Sequence, residues 1–327
     1  MIKVLCRILL GAAAIAGSVA VAHAAPSAYP DKPITIVVPY PPGGGTDVAT
    51  RIVTQHLSER LGQPVVVENR AGAGGNIGAE RVARADPDGY TLLAGAIVAH
   101  AVNMTLQKDI VRYDLEKDFA PITYMTLMPV TLVVNKTLGI GTYDEFLGYL
   151  KQHPKEVTFA SAGIGTTQHV AGEYFKQLTG TDMIHVAYKG SAPAITDVIS
   201  GQVAATFEVG PVAYPHVKSG KLTALMIASK ARSSELPDVP TAPEVGLNDF
   251  EVGTIYGLLA PAGTSPQIVN RLNEEMKVIL AMPDVQQKLK ELGAVTTYTT
   301  PEETAERIHQ EVERWATVIE KAHIQRR

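Results

Sequence analysis

Short continuous apolar runs alternate along this chain with segments whose apolar residues return every three to four positions, roughly the period of a helix. Ile34 to Val38 is an apolar run of strand length. Beyond it, Val48, Ile52, Val53, His56 and Leu57 fall at helical spacing, which predicts a helix through DVATRIVTQHLSERLG. Val65 to Val67 predicts a second strand, and Ile77 to Ala85 a short helix with Asn76 as its N-cap. Asp88-Gly89 is a turn signal, and Tyr90 to Ala94 a third strand that the chain leaves through Gly95. The first hundred or so residues therefore read as βαβαβ, which implies parallel strands joined by right-handed crossovers.

The pattern then changes. Phe119 to Val134 is one long β-prone run broken by Pro129, and Phe250 to Leu259 is a second. Between them, Thr142 to His153 predicts a helix with Thr142 as N-cap and Glu145 completing a capping box. Strands follow at Val157 to Ser161, Ile184 to Tyr188, Val203 to Phe207 and Leu222 to Ala228, with a helix over Val170 to Leu178 ended by Gly180 and another starting near Ser191. After the second long run come helices at Ser265 to Ala281, Asp284 to Leu292 and Thr300 to His323, the last carrying Trp315 as a packing anchor. This predicts two βα lobes joined by two long strands, with a helical tail returning to the first lobe. Residues 25–125 and 250–327 form lobe 1, and 126–249 form lobe 2.

Two stretches stand at strand-to-helix turns and share one device. PYPPGGGTD, Pro39 to Asp47, puts three glycines between a strand end and a helix start. SAGIGTTQH, Ser161 to His169, does the same with two glycines and two threonines. Glycine lets backbone approach a ligand closely, and the first turn of a helix offers N–H groups without intrahelical partners, so each stretch is an anion site or a plain turn. A nucleotide phosphate is excluded by the spacing. Gly45 is followed by Thr46 and Asp47 where a P-loop needs Lys and a hydroxyl, and Val48 stands where a dinucleotide fingerprint needs a third small residue. Asp47 would repel a dianion unless it turns away to cap the helix. A singly charged carboxylate suits these loops. In open parallel sheets ligands sit outside the carboxyl ends of strands, so Gly95 to His100 is expected beside Pro39 to Asp47, with His100 either a ligand contact or a packed core residue.

Composition adds an address. Lys3 and Arg7, the apolar run Ile8 to Ala22 and Ala22-His23-Ala24 read as a signal peptide over residues 1–24 with an A-x-A cleavage site. The one cysteine, Cys6, lies inside it, so the remaining chain is expected to hold no disulfide and no thiolate metal site. Removing Lys3 and Arg7 leaves 27 basic against 33 acidic residues, a net charge near −6. That disfavours nucleic acid as a partner and requires an anionic ligand to be captured by local geometry. Apolar residues make up 46% of the chain, enough for a globular core.

The segments YPDKPITIVVPYPPGGGTDVATR, ENRAGAGGNIGAERVARADPDGYTLL, FASAGIGTTQHVAGEYFK, HVAYKGSAPAITDVISGQV and LPDVPTAPEVG resemble, in that order and over nearly all of the chain beyond the signal, the Bug-type solute-binding proteins of the tripartite tricarboxylate transporter family. The resemblance implies an α/β, two-lobed periplasmic binding protein fold of type II, a Venus flytrap with two hinge strands. It implies a periplasmic, monomeric receptor, without cofactor or metal, that closes on a small organic carboxylate and delivers it to membrane permease subunits. It places ligand contacts at Tyr40, Gly43, Gly44, Gly45, Thr46 and Asp47 in one lobe, and at Ala162, Gly163, Gly165, Thr166, Thr167 and His169 in the other. Ala96, His100, Asp197 and Phe207 complete the expected set. GAIVAHAVN is more apolar at Ala96, Ile97 and Val98 than the family's usual versions, and Glu208 stands where the family often has Asp; both bear on which ligand is taken.

An enzyme is the rival class. The sequence has no GxSxG elbow, no HExxH and no cysteine nucleophile beyond the signal, and nothing spaces His100, His169, His185 and Ser161 into a triad. A receptor that presents its ligand to a sensor system is the second alternative.

Overall fold

The strands of the first hundred or so residues form at the chain's apolar runs, two of them buried and the third at the edge of the sheet. In the computed structural model, which describes residues 29–321 and residue 324, Ile34–Val38 (β1) is buried at Ile34, Ile36, Val37 and Val38. Helix Gly45–Leu61 (α1) carries the chain to Val65–Asn69 (β2), and helix Asn76–Ala83 (α2) to Thr91–Ala96 (β3). Both β2 and β3 lie parallel to β1, as the βαβαβ pattern requires. The predicted signal segment and Cys6 lie outside the described residues.

Two local expectations are corrected here. Asn76 is not the N-cap of α2. Gly75, at φ 102, holds that place with no side-chain bond, because turning from β2 into α2 takes left-handed backbone at Gly74 and Gly75. Asn76 is the first helical residue, and its amide is spent inward: Nδ2 donates to Gln107 Oε1 (3.2 Å) and Oδ1 accepts from Tyr113 Oη (2.8 Å). Nor does the chain leave the third strand through Gly95, since β3 runs on to Ala96. Helix Ile97–Leu106 (α3) begins directly where β3 ends.

Strand Phe119–Asn135 (β4) then runs through both halves of the sheet. The chain continues through helix Tyr143–Gln152 (α4), strand Thr158–Ser161 (β5), helix Thr167–Thr179 (α5), strand Ile184–Ala187 (β6), helix Ser191–Ser200 (α6), strand Ala205–Val209 (β7), helix Gly210–Lys218 (α7) and strand Leu222–Ile227 (β8). Strand Gly253–Pro261 (β9), helices Pro266–Leu280 (α8) and Pro283–Glu291 (α9), strand Val295–Thr296 (β10) and helix Pro301–Lys321 (α10) complete it. The order of strands is β2-β1-β3-β9-β4-β7-β5-β6, with β8 and β10 also on β4. β9 lies antiparallel against β4 from Phe119↔Pro261 to Pro129↔Gly253, while the far end of β4, Val130 to Val134, pairs with β7. β4 is thus the strand common to both halves. β9 stays with the first half, between β3 and β4. The return crossing is made just before it, where Val130 N–H donates to Val252 O and Ala228 N–H to Val130 O.

The capping box of α4 is present, with Thr142 and Glu145 bonding each other's backbone N–H, and Gly180 ends α5 at φ 63. Trp315 is buried on α10, its Nε1 donating to Glu311. Phe207 sits fully buried in the second half, its ring 5.4 Å from Phe175 and 6.0 Å from Phe250. Phe250 therefore packs into the core of the second half, although its position in the chain starts the return to the first.

Candidate functional site

The carboxyl ends of β1 and β3 face those of β5 and β7, and helices leave all four. Between the halves they enclose a cavity of about 40 Å³. Its first wall is Tyr40, Pro41, Gly44, Gly45, Thr46 and Ala96; its second is Ala162, Thr166, Thr167, Gln168, Ser191 and Val209; Thr254 and Tyr256 of β9 form the back. Among the described residues no charged side chain lines it. An anion held here would meet backbone amides and hydroxyls.

Three helix N-termini converge on this space: Gly45–Thr46 of α1, Thr167–Gln168 of α5 and Ser191 of α6. None of the three has a side-chain cap. Helices α4 and α8, which start elsewhere, are capped by Thr142 and Ser265, whereas α2, α3, α7 and α9 also lack a side-chain cap, so it is the convergence of the three starts that marks this space. Uncapped first turns leave N–H donors and the positive ends of three helix dipoles for whatever fills the cavity. Thr167 Oγ1 adds a hydroxyl that is buried without a partner among the described residues, and a buried polar atom of that kind normally has one. Tyr256 stays a neutral phenol, its pKa raised first by burial and then by Glu208, and it hydrogen-bonds Thr46 and Thr254.

The glycine loops are held from behind. Asp47 Oδ2 accepts the Gly43 N–H (3.0 Å), and Asp47 Oδ1 accepts Asn69 Nδ2 (2.9 Å). Arg51 Nε reaches both oxygens at 3.0 Å. Burial pushes the Asp47 pKa up, but the bonds from Arg51, Gly43 and Asn69 outweigh it and the net shift is downward. In the second loop, Gly163 N–H donates to Ser161 Oγ (3.1 Å) and Gly165 N–H to His169 Nδ1 (3.2 Å). The His169 ring stacks on His185 at 4.2 Å.

Of the residues expected from the sequence, Tyr40, Gly44, Gly45, Thr46, Ala96, Ala162, Thr166 and Thr167 line the cavity. Gly43, Asp47, Gly163, Gly165 and His169 do not; they brace the two loops. Phe207 is core. Asp197 lies on α6 and accepts the Tyr188 hydroxyl (2.6 Å). His100 is buried in α3, Nδ1 at 2.9 Å from Tyr113 Oη, and burial alone lowers its pKa to about 4, so it is neutral and without charge to offer. Gln168, Ser191, Val209, Thr254 and Tyr256 were not in the expected set. Gln168 lies within SAGIGTTQH and Ser191 at a predicted helix start, so both were within reach of the pattern. Thr254 and Tyr256 sit in an apolar run that gives no signal.

Behind Gln168 and Ser191 stands Glu208, fully buried. Its Oε1 accepts Gln168 Nε2 (3.1 Å) and the Val209 N–H (2.9 Å), while Oε2 has no partner among the described residues. Burial raises its pKa against those bonds and one with Ser191.

The family model described as "Tripartite tricarboxylate transporter family receptor" matches residues 49–324. The chain is similar to Protein BugT of Bordetella pertussis, 39% identical over 292 residues that cover 89% of each chain. It is similar to the solved periplasmic binding protein BugD, with 34% identity, a TM-score of 0.86, and cover of 91% of this chain and 100% of that one. It is similar also to MatC of Rhodopseudomonas palustris, solved with bound malate: 36% identity, a TM-score of 0.84, and cover of 89% and 100%.

Proposed function

The chain belongs to the tripartite tricarboxylate transporter receptor family, and from that membership we propose that its cavity holds the carboxylate of a small organic acid on the N-termini of α1, α5 and α6. Receptors of this family are periplasmic solute-binding proteins. The observation that carries the reading is the convergence of three helix starts without side-chain caps on a cavity without charged side chains. Gly44, Gly45 and Thr46 contact the acid from one half, and Ala162, Thr166, Thr167, Gln168 and Ser191 from the other. Closure of the halves about β4 buries it. MatC binds malate, and a small hydroxy or plain diacid is the ligand class proposed here. Residues 1–24 direct export and are removed, the receptor acts as a monomer, and its receiving partner is the membrane permease.

An enzymatic reading has one observation to start from, the 2.6 Å contact between Ser161 Oγ and His185 Nε2. Ser161 is fully buried, and its Oγ both donates to Gly163 O and accepts the Gly163 N–H. It braces the loop and is closed to a substrate. Calorimetry with succinate and malate against their methyl esters tests the carboxylate reading. Losing the charge-assisted hydrogen bonds should weaken the esters by roughly tenfold or more; equal affinity of acid and ester overturns it.

A further inference from the structure

A line of buried polar groups runs from the core of the first half to the second glycine loop. Ile164 lies in that loop, between Ala162 and the Thr166 to Gln168 stretch that line the cavity. Its carbonyl accepts from Gln107 Nε2 (3.0 Å), which stands at the C-terminal end of α3 in the first half. Gln107 Oε1 in turn accepts from Asn76 Nδ2 (3.2 Å). Asn76 Oδ1 accepts from Tyr113 Oη (2.8 Å) and from Asn103 Nδ2 (3.2 Å), and Tyr113 Oη stands 2.9 Å from His100 Nδ1. All of these side chains are buried.

The far end fixes the direction of every bond. A backbone carbonyl only accepts, so Gln107 presents its nitrogen to Ile164 and its oxygen to Asn76. Asn76 then gives its nitrogen to Gln107 and keeps its oxygen for the Tyr113 hydroxyl. That hydroxyl, having donated, accepts from His100, which puts the imidazole proton on Nδ1. His100 Nε2 is left as a lone pair, and it is buried without a hydrogen-bond partner among the described residues. Donors aligned in one sense strengthen one another. Packing closes the same contact: a Cβ on Gly74 would stand 2.5 Å from the Ile164 oxygen. The chain passes between the halves along β4 and again just before Val252. The bond from Gln107 to Ile164 lies on neither passage, so nothing covalent keeps it formed when the halves part.

We propose that Gln107 is a positioning residue for the acid: on closure it catches the Ile164 carbonyl and so sets the second glycine loop where Ala162, Thr166 and Thr167 meet the ligand. It acts through the loop, since it is not among the residues that line the acid's cavity. The inference rests on the receptor reading above and adds to it a residue outside the ligand's own contacts.

Gln107→Glu tests this on the full-length receptor, because it keeps an oxygen for Asn76 and makes the donor to Ile164 depend on a proton. With the proton on, the carboxyl donates as the amide does; with it off, an anion faces the carbonyl oxygen. The affinity of the parent for malate, divided by that of the variant at the same pH, should stay near one at about pH 5 and climb to roughly tenfold at about pH 8. His100 and Tyr113 stay neutral over that range, since burial lowers the pKa of the first to about 4 and raises that of the second. Gln107→Met removes the donor at every pH and should weaken malate by roughly twofold to tenfold, through faster dissociation. Melting without ligand checks that both variants fold, and Gln107→Glu decides alone where Gln107→Met does not. Nitrogen-15 NMR should find the His100 proton on Nδ1; a proton on Nε2 overturns the direction of the chain. A ratio flat with pH in Gln107→Glu, or parental affinity in Gln107→Met, refutes the positioning role and leaves the receptor reading standing. If the parent binds neither malate nor succinate, the receptor reading itself fails and takes this inference with it.

Discussion

Gly45→Ala isolates what closure requires at the helix start of the first half. Gly45 opens α1 with a backbone conformation open to any residue, since it is absent from the positive-φ positions. A Cβ there would stand 2.8 Å from Val209 Cγ2, across the cleft, and 2.3 Å from the Tyr256 hydroxyl. Ordinary carbon contacts lie near 3.5–4.0 Å, so α1 has to retreat from Val209 by about 1 Å. Overpacking of one methyl costs about 1–3 kcal/mol. Val209 belongs to the other half, so its share of that cost falls on the closed form, while the share from Tyr256 falls on the first half itself; affinity for a bound acid should drop by roughly tenfold or more. Gly44→Ala is the control: its Cβ meets only Pro41 O, at an ordinary 3.6 Å. Both variants are melted without ligand, then titrated with succinate or malate by calorimetry. The expected result is a folded Gly45→Ala with much weakened binding beside a Gly44→Ala close to the parent. Equal losses in the two, or none in Gly45→Ala, refute the claim that the closed seam is set by this glycine.

Two further outcomes follow from the groups behind the cavity. Burial holds the Glu208 pKa above its ordinary 4.5 in the folded chain, so the folded state keeps a proton that the unfolded state releases, and stability falls as pH rises above the unfolded value until the folded pKa is passed. Glu208→Gln removes that dependence, so its melting temperature relative to the parent should rise as pH increases above the ordinary 4.5; a difference that stays flat with pH contradicts the assignment. Asp47→Ala leaves the Gly43 N–H without its acceptor and Asn69 Nδ2 with only the Tyr40 carbonyl, which should cost about 2 kcal/mol in urea unfolding; an unchanged midpoint would show that Asp47 does not hold the loop.

Much of this was legible because it is local. The βαβαβ order, the Thr142–Glu145 capping box, the Gly180 stop and the two glycine loops all follow from neighbours along the chain, where period, cap and turn chemistry act. Asp47 was legible in part. Its capping alternative was on the page, and Arg51 four residues on is the helical partner that draws its carboxylate away from the cavity. His100 and Asn76 are different. Each satisfies a local pattern, a titratable group at a strand end and an N-cap before a helix. Each is instead claimed by Tyr113, which comes later in the chain and bonds both.

The glycines show where sequence reading stops for a physical reason. Gly45 and Gly165 look equivalent, each ending a glycine loop before a helix. In the fold Gly45 faces Val209 and Tyr256 at the cavity, whereas Gly165, at φ +80, faces Asn103, whose Oδ1 would stand 1.8 Å from a Cβ. One is small so that the halves can meet over a ligand, the other so that α3 of the first half can grip the second loop from outside. The same holds for Gly190 against Pro41 and Gly74 against Ile164. In each case an atom on the opposite half leaves no room for a side chain, although Gly45 also faces Tyr256 of its own half and Gly165, Gly190 and Gly74 need glycine for their positive φ whether or not the halves are closed. A pattern along one chain records that a residue is small; which surface it must admit is a property of how two distant segments approach. A fixed charge introduced at Gly45 or Gly165 would therefore report the clash before it reported any repulsion of a bound carboxylate.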